Sequence, residues 1–442
     1  MGFLGRKFAL QPEIQAYFMD VANKFDLRRH IQFRTVVESS QWDEESGSWL
    51  STLRDLSSNT TSSLRSKILV SAVGGLSIPK KCDLPGTLTF EGKLFHSAQW
   101  DHSFNWKGKN IVVLGNGCSA TQFVPAISDG PGAARKVTQF AKQAHWLGET
   151  LNPEYSAAFK WMMRWVPLAM RLYRLSIYLE KEKDFRGFDT VSGAAYRADA
   201  QKEAIEYIRK NAPAKYRDFL VPKTEIGCKR GVKDTEYLAS LHRSNVELVY
   251  DDPVEAIIPS GVRTRSGRVI SADAIILATG FETQQVLAPM EIYGENGISV
   301  KEHWGHVSDG SPSAYFGTCL SGFPNFFIMM GPNTLSGHLS VIYTTECQVN
   351  FMMRVIRPIK QCLAAEKPKK ADILRVKPDA EIQDIAQTQL KARQLVWASG
   401  CSSWFLDPET GRNSVMFPDY QYKFWLKSIF VTWKDVMYQK SA

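Results

Sequence analysis

The order of apolar and polar positions along this chain predicts strands and helices in alternation. After Pro12, apolar residues at i, i+3, i+4 and i+7 predict a first helix that runs to Phe25. Alternating positions over residues 31–37 predict a strand, the polar residues 43–47 predict the turn of a meander, and residues 67–73 predict another strand. The N-terminal part of the chain therefore mixes helix and sheet.

From residue 110 the pattern becomes strand, glycine turn, helix and strand, over residues 110–114, 119–127 and 136–140. That order predicts a βαβ unit. Residues 150–222 have helical spacing and little strand character, which predicts a helical insertion. Further strands are predicted at residues 246–250, 254–258, 274–278 and 326–330, with a hairpin around residues 266–267.

Composition excludes several classes of protein. With 442 residues, 44% hydrophobic and 22% charged, the chain is typical of a globular protein of two or three domains. The net charge of +9 comes from scattered Lys and Arg, and the short basic run at 367–370 is typical of a solvated loop, so no nucleic-acid partner is predicted. Seven cysteines without a Cys-x-x-Cys pair predict a reducing compartment rather than a disulfide framework.

No transmembrane helix or signal peptide is predicted, so we expect a cytoplasmic location. Residues 1–8 lack an apolar segment, and the apolar residues 161–179 are interrupted by Arg164, Arg171 and Arg174. For residues 161–179 two interpretations stay open: a helix packed on a core, which we favour, and a basic amphipathic helix on a membrane surface.

The residues between the first strand and helix of the βαβ unit predict a nucleotide site. Gly115 allows a tight turn, Gly117 allows the backbone to approach a pyrophosphate, and the small Ala120 allows close packing of helix on strand. The helix start offers free N–H groups to phosphates. The full candidate set is Gly115, Asn116, Gly117, Cys118, Ser119 and Ala120, and the alternative is a plain strand-to-helix turn.

The end of the next strand distinguishes between the two nicotinamide cofactors. NAD sites place an Asp or Glu there for the ribose 2′-hydroxyl, whereas this chain has no acid and carries Lys142. A cation at this place neutralises a 2′-phosphate, which favours NADPH. The alternative is a surface lysine at the end of a strand.

Residues 90–101 form the most specific motif. Phe90, Gly92, His96 and Trp100, followed by Asp101, resemble the fingerprint of Baeyer–Villiger monooxygenases, Phe-x-Gly-x-x-x-His-x-x-x-Trp before Pro or Asp. From the residue frequencies of this chain, about 8 × 10⁻⁴ chance matches are expected. The resemblance implies that His96, Trp100 and Asp101 couple the flavin and nicotinamide domains. The alternative is a satisfied interface histidine beside a core tryptophan.

Three other segments carry the same resemblance. Residues 225–230 are similar to a family segment in which Lys229 would hold the ribose phosphate and Arg230 would be catalytic, although the aromatic residue and proline that precede it in the family are missing here. The strand end at Gly280 and Phe281 resembles the return of the chain to the flavin domain. By the same resemblance, the loop formed by Gly331, Pro332 and Asn333 would lie against the flavin ring. Gly337 and His338 follow this loop.

The resemblance implies an α/β fold of two dinucleotide-binding (Rossmann-like) domains with a helical insertion. The FAD domain is expected to be incomplete at its N-terminus, because the first βαβ unit has no counterpart in residues 1–8. Trp404 and residues 411–413 resemble fungal-type members. The predicted division is a partial FAD domain and linker at 1–103, the NADPH domain at 104–149 and 223–272, the helical insertion at 150–222, and the FAD domain again at 273–442.

The implied activity is that of an FAD- and NADPH-dependent monooxygenase. One oxygen atom of O2 would be inserted into a ketone through a C4a-peroxyflavin to give an ester or lactone, with Arg230 stabilising the peroxide anion. The alternatives are oxygenation of nitrogen or sulfur, and a non-catalytic NADP(H)-binding remnant. The aromatic insertion and residues 329–340 predict a pocket for an apolar small molecule. The oligomeric state stays open.

Overall fold

The computed structural model describes residues 5–364, 371–401 and 403–441, and the predicted basic loop at 367–370 lies outside them. The α-helices in these ranges are α1 Gln11–Lys24, α2 Ala120–Ile127, α3 Ala157–Trp165, α4 Ala169–Glu182, α5 Ala194–Asn211, α6 Arg217–Leu220, α7 Tyr237–Ser240, α8 Val300–Ser308, α9 Val341–Val355, α10 Arg357–Leu363, α11 Pro378–Ala392 and α12 Gln421–Ile429. Among these helices, none is both long enough and apolar enough to cross a bilayer.

The strands of the same ranges form six sheets. In chain order they are β1 Thr35–Asp43, β2 Ser48–Asp55, β3 Thr61–Ser66, β4 Leu69–Ser71, β5 Lys93–His96, β6 Asn110–Leu114, β7 Lys136–Phe140, β8 Leu147–Gly148, β9 Val232–Lys233, β10 Val246–Val249, β11 Val254–Ile258, β12 Gly261–Thr264, β13 Val269–Ser271, β14 Ala274–Leu277, β15 Glu291–Tyr293, β16 Phe326–Ile328, β17 Ile373–Val376 and β18 Val436–Gln439.

The largest sheet has five parallel strands in the order β10-β7-β6-β14-β5. Both of its faces are buried, as parallel sheets require. Along β6, Ile111 and Val113 face a core formed with α2, α5 and α7, whereas Val112 and Leu114 face the antiparallel sheet β11-β12-β13. The predicted βαβ unit is therefore confirmed, and it forms the centre of an α/β layer structure.

The central sheet crosses two of the domain boundaries that the sequence predicted. Strand β14 pairs with β6 on one side and with β5 on the other, although β5 precedes residue 103 and β14 follows residue 272. This pairing satisfies the backbone groups on both edges of β14. All of the predicted domain boundaries stay predictions.

A second region packs β1 and β2 against β15, β16 and α8. The meander is confirmed, since Trp42 pairs with Trp49 across the turn and both are buried. The strand predicted over residues 31–37 is wrong at its start, because β1 begins at Thr35. Arg34 has a φ of 54°, which an extended strand does not accommodate.

Two predicted apolar helices are confirmed as helices but are exposed on one face. The apolar stripe of α1, which includes Ile14, Phe18 and Phe25, lies open to solvent. The apolar residues 161–179 form two helices, α3 and α4, separated at Pro167 and Leu168, with Leu168 at a φ of 64°. Packing on a core, which we favoured for this segment, holds for only one side of each helix.

The structure contains one disulfide that the sequence did not predict. It joins Cys228 to Cys401, whose Cα atoms are 6.4 Å apart. The link ties the segment before Lys229 to the C-terminal part of the chain. Cys82, Cys118, Cys319 and Cys347 are free thiols.

Candidate functional site

Neighbouring parallel strands of the central sheet end along one edge, and four predicted segments meet there. Strand β6 leads into Gly115, β7 into Lys142 and β14 into Gly280, while β5 ends at His96. The register places Leu277 of β14 opposite His96. Ligands of open α/β sheets bind at the carboxyl ends of the strands, so this edge is the candidate site.

The glycine turn has the backbone that its sequence predicted. Gly115 has a φ of +112°, and a Cβ added there would lie 2.4 Å from the carbonyl oxygen of Ala278. Only glycine fits a position with both constraints. At Gly117 an added Cβ meets nothing within 4 Å, so the backbone is open to a ligand, and Ala120 is fully buried where α2 packs on the sheet.

Side-chain hydrogen bonds hold this turn in place. The buried Asn116 donates from Nδ2 to the carbonyl oxygen of Gln143 at 2.8 Å. Gln139, which is fully buried, donates from Nε2 to the carbonyl oxygen of Gly115 at 2.9 Å and accepts the Tyr237 hydroxyl at 2.9 Å. The next two candidates, Cys118 and Ser119, are exposed at the start of α2. Hydrogen bonds from Asn116 and Gln139 therefore fix the conformation of the turn.

Three cations line the side of the turn nearest β7. The Lys229 ammonium donates to Oε1 of Gln143 at 2.5 Å, and its charge helps burial to lower the pKa of His145. Neighbouring protein atoms desolvate the Cys118 thiol and raise its pKa, although the residue as a whole is exposed, and the charge of the nearby Arg230 opposes that shift. Lys142 is exposed. In the described residues, neither Lys142 nor Arg230 forms an ion pair, so both cations are available to an anionic ligand.

His96 is buried against the start of the Gly280 segment. Its ring lies 5.6 Å from that of Phe281, edge to face, and its Nδ1 accepts the N–H of Ala98 at 3.1 Å. Burial lowers the pKa of His96, while the backbone of Gly280 opposes the shift. Its buried Nε2 lies close enough to the Gly280 backbone to be affected by it, but the two do not form a well-aligned hydrogen bond in the described residues. The structure thus joins two segments that the sequence placed far apart.

Trp100 and Asp101 have local packing roles. Trp100 packs edge to face on Phe95 and on Phe123 of α2, with ring centroids 5.4 Å and 5.3 Å away. Asp101 accepts the N–H of Ser103 at 2.9 Å and pairs with Lys93 at 3.4 Å, and the hydrogen bonds from Ser103 chiefly lower its pKa. Trp100 therefore fastens the turn after β5 to α2, whereas Asp101 ties the turn to β5 itself.

The predicted flavin loop is fixed by backbone contacts. Gly331 and Pro332 are buried, and a Cβ at Gly331 would lie 2.3 Å from the carbonyl oxygen of Gly317. Asn333 has a φ of 57° and donates from Nδ2 to the carbonyl oxygen of Asn413 at 2.6 Å. The loop is held by the C-terminal segment of the chain.

Phe188, which the sequence reasoning missed, connects the segment before Arg230 with this loop. Its ring lies 3.2 Å from a Cβ built on Gly227 and 3.0 Å from one built on Gly337. Arg197 holds the backbone around Phe188, donating to the carbonyl oxygens of Gly187 at 3.0 Å and Thr190 at 2.8 Å. No local sequence signal marks Phe188, because its partners come from distant parts of the chain.

A buried pair joins α4 to the same loop. His338 Nε2 lies 3.0 Å from Oε2 of Glu182, and Oε1 of that carboxylate accepts the N–H of Tyr422 at 3.0 Å. The ring of Phe185 packs 5.3 Å from that of His338. The sequence reasoning named His338 but missed Glu182, which lies 156 positions away.

Comparison with known proteins gives the family. A model of the family described as FMO-like, flavin-binding monooxygenase-like, matches residues 6–171. A Baeyer-Villiger monooxygenase of Pseudomonas aeruginosa is 32% identical over 423 residues, which are 95% of this chain and 76% of that protein. A Baeyer-Villiger monooxygenase of Streptomyces coelicolor is 31% identical, over 93% of this chain and 76% of that one. This chain belongs to the flavin-binding monooxygenases.

The solved structures agree on the fold of this monooxygenase. The closed structure of cyclohexanone monooxygenase superposes with a TM-score of 0.84, covering 98% of this chain and 86% of that one at 21% identity. A steroid monooxygenase bound to NADP gives 0.80, covering 99% and 87% at 25% identity. The family resemblance of residues 90–101 and the predicted class of two dinucleotide-binding domains are confirmed.

The residues of the monooxygenase fit a dinucleotide and a flavin at this edge. Gly117 and Gly280 face open space, where a Cβ would meet nothing within 4 Å, and Gly280 has a φ of +86°. At the end of β5, the buried His96 Nε2 has no well-formed hydrogen bond in the described residues. Open backbone beside a buried polar atom of this kind suits large, polar cofactors.

Proposed function

We propose that this monooxygenase catalyses Baeyer–Villiger oxidation of a ketone to an ester or lactone, using FAD, NADPH and O2. The observation that carries the proposal is the burial of His96 against Gly280 and Phe281, beside the glycine turn at Gly115. His96, the last residue of β5 and part of the segment that resembles the Baeyer–Villiger fingerprint, thereby lies at the carboxyl edge that suits the cofactors. The two bacterial relatives named Baeyer–Villiger monooxygenases support the same reaction.

NADPH would bind at the turn formed by residues 115–120. The open backbone at Gly117 and the first amides of α2 receive the pyrophosphate, because these amides lack intrahelical acceptors. Lys142 and Lys229 neutralise the 2′-phosphate, and the absence of an acidic residue after β7 disfavours NAD. Two lysines instead of an arginine supply charge without the bidentate geometry.

FAD would lie against Gly280, Phe281 and the loop at residues 331–333. When bound, it supplies the activation of O2 at the expense of NADPH. Arg230, an exposed guanidinium without an ion pair in the described residues, stabilises negative charge that develops on the oxidant. His96, Trp100 and Asp101 position the two cofactor regions relative to each other.

The division into FAD domain, NADPH domain and insertion remains part of this proposal, with β5 and β14 assigned to the nicotinamide-side sheet. The substrate would be an apolar small molecule bound between the insertion and residues 329–340. We also propose a cytoplasmic, reducing location from the absence of a Cys-x-x-Cys pair in the sequence, and the Cys228–Cys401 disulfide counts against that location.

The test is product analysis with the purified chain, added FAD and NADPH, and isotopically labelled O2. A ketone, a sulfide and a tertiary amine are offered separately, and products are identified by mass spectrometry. Labelled ester or lactone supports the proposal. Exclusive sulfoxide or N-oxide formation would assign the chain to heteroatom oxygenation, and NADPH binding without any oxygenation would indicate a non-catalytic remnant.

Matched variants test the role of the guanidinium. Arg230→Ala should lower ester formation by about 100-fold or more, as loss of a charge-stabilising donor does in other enzymes. Arg265→Ala removes an equally exposed arginine from the hairpin after β12 and should leave the rate unchanged. Equal rates for both variants would remove Arg230 from the reaction.

A further inference from the structure

Helices α3 and α4 carry an apolar surface that faces away from the rest of the protein. We define the α3–α4 surface by its six exposed apolar side chains: Trp161 at 61% exposed, Trp165 at 62%, Leu168 at 61%, Leu172 at 62%, Leu175 at 50% and Leu179 at 50%. In a folded protein, isolated exposed apolar residues are ordinary, but a contiguous set on one face marks an interaction site.

The spacing of these residues places them on one stripe of each helix. Leu172, Leu175 and Leu179 follow the i, i+3, i+7 rule along α4, Leu168 directly precedes that helix, and Trp161 and Trp165 are four apart on α3. The half-buried or buried residues, Met163 in α3 and Ile177 in α4, fall on the opposite sides. Each helix is therefore amphipathic, with an apolar face that stays exposed among the residues that the structure describes.

The inner faces of the two helices are well packed, so the outward stripe is not a sign of loose helices. Tyr155 and Tyr173 share a hydrogen bond of 2.8 Å between their hydroxyls. The ring of Phe159 lies 5.1 Å from that of Tyr173, edge to face, and 4.7 Å from that of Tyr155, stacked. The hairpin is a preformed platform.

Positive charge surrounds this surface. Residues 155–179 contain Lys160, Arg164, Arg171 and Arg174 and no Asp or Glu. The three arginines are exposed, and among the ion pairs of the described residues none involves them. The Arg164 guanidinium lies over the ring of Trp165, 5.2 Å from its centroid. The flanking carboxylates Glu154 and Glu180 are paired with Arg6 and with Lys7 and Lys181, so that the three unpaired arginines leave a basic rim beside the apolar residues. Such a surface is complementary to an anionic, amphiphilic partner.

From this complementarity we propose that the α3–α4 surface docks the protein on an anionic lipid membrane. Tryptophan and leucine enter the boundary between headgroups and acyl chains, while arginines stay at the level of the phosphates. A second copy of the chain fits less well, because a twofold interface would place the same arginines opposite each other in a protein of net charge +9. The docking is peripheral and does not depend on the oxidation proposed above.

The test is flotation of the purified 442-residue chain with lipid vesicles at low ionic strength. We expect binding to vesicles of phosphatidylcholine with phosphatidylserine, at least about tenfold weaker binding to phosphatidylcholine alone, and release by salt. The double variant Trp161→Gln/Trp165→Gln should lose at least about 90% of the bound fraction, because it removes the inserting residues. The triple variant Arg164→Gln/Arg171→Gln/Arg174→Gln should lose the preference for phosphatidylserine.

Matched controls remove equivalent residues elsewhere. Trp433→Gln changes a tryptophan that is 53% exposed, and Arg209→Gln/Arg265→Gln/Arg393→Gln removes the same charge from three other exposed positions. Both controls should bind as the wild type does, and circular dichroism verifies that every variant is folded. Absence of vesicle binding, or equal binding by all variants, would overturn the proposal. Dimers in sedimentation velocity that the tryptophan variant abolishes would assign the surface to a second copy instead.

Discussion

Replacing Gly115 by alanine tests whether the glycine turn is constrained by the protein itself. The added Cβ would lie 2.4 Å from the carbonyl oxygen of Ala278 and 3.0 Å from its carbonyl carbon. Both are backbone atoms of the strand end that follows β14, so they cannot rotate away as the end of a side chain could. The φ of +112° adds a conformation that alanine rarely adopts.

The free energy of unfolding should fall by about 2–5 kcal/mol. An unfavourable φ costs an L-residue about 1–2 kcal/mol, and a methyl group forced into packed structure costs about 1–3 kcal/mol. Gly117→Ala is the matched control, because its Cβ would meet nothing within 4 Å. That variant should keep its stability within about 0.5 kcal/mol and yet bind NADPH at least about tenfold more weakly, since the methyl group occupies the proposed pyrophosphate position.

Guanidinium-induced unfolding, followed by tryptophan fluorescence, measures the first effect, and titration with NADPH measures the second. We expect a lower unfolding midpoint for Gly115→Ala and an unchanged midpoint for Gly117→Ala. A Gly115→Ala protein as stable as the wild type would refute the steric argument. A Gly117→Ala protein with unchanged NADPH affinity would refute the placement of the pyrophosphate.

Three further predictions concern the surroundings of the turn and the loop. Lys229→Ala should weaken NADPH binding by about tenfold and NADH binding much less. The control Lys233→Ala should change the affinity for neither cofactor. If Lys229→Ala weakens both cofactors equally in titrations, Lys229 does not contact the 2′-phosphate. Glu182→Ala, which strands two buried donors, should cost about 3–5 kcal/mol in denaturant unfolding, against under about 0.5 kcal/mol for the exposed Glu180→Ala. Burial lowers the pKa of His145 in the folded protein below its ordinary value of 6.5. As the pH falls through 6.5, the unfolded chain therefore binds a proton at this histidine before the folded protein does, and the free energy of unfolding decreases. His145→Gln should reduce this loss, and midpoints that decline equally in both proteins would count against it.

Local patterns predicted the nucleotide side of the molecule well. The strands at residues 110–114, 136–140 and 254–258 have the observed bounds, because short apolar runs before glycine or between turns carry strong local signals. Gly115 is predictable for the same reason, since its neighbours in sequence determine the turn.

Long-range contacts could not be predicted in this way. Glu182 and His338 meet across 156 positions, and Phe188 contacts two glycines that belong to different segments. Arg34 interrupts a strand through its backbone angle, which the alternating pattern does not reveal. Whether an amphipathic helix faces a core or solvent also depends on tertiary packing, as the exposed stripe of α1 demonstrates. The predicted absence of a first flavin-binding unit stays a prediction.

A visible absorption spectrum tests whether FAD and NADPH both bind at the carboxyl edge of the central sheet. The purified chain is first incubated with FAD, and spectra are recorded before and after NADPH is added. We expect a protein-bound flavin spectrum that bleaches when NADPH is added and returns in air. NADH should reduce the bound flavin much less effectively. A protein that takes up no FAD, or a bound flavin that NADPH fails to reduce, would contradict the proposed assembly of both cofactors at the carboxyl edge of the central sheet.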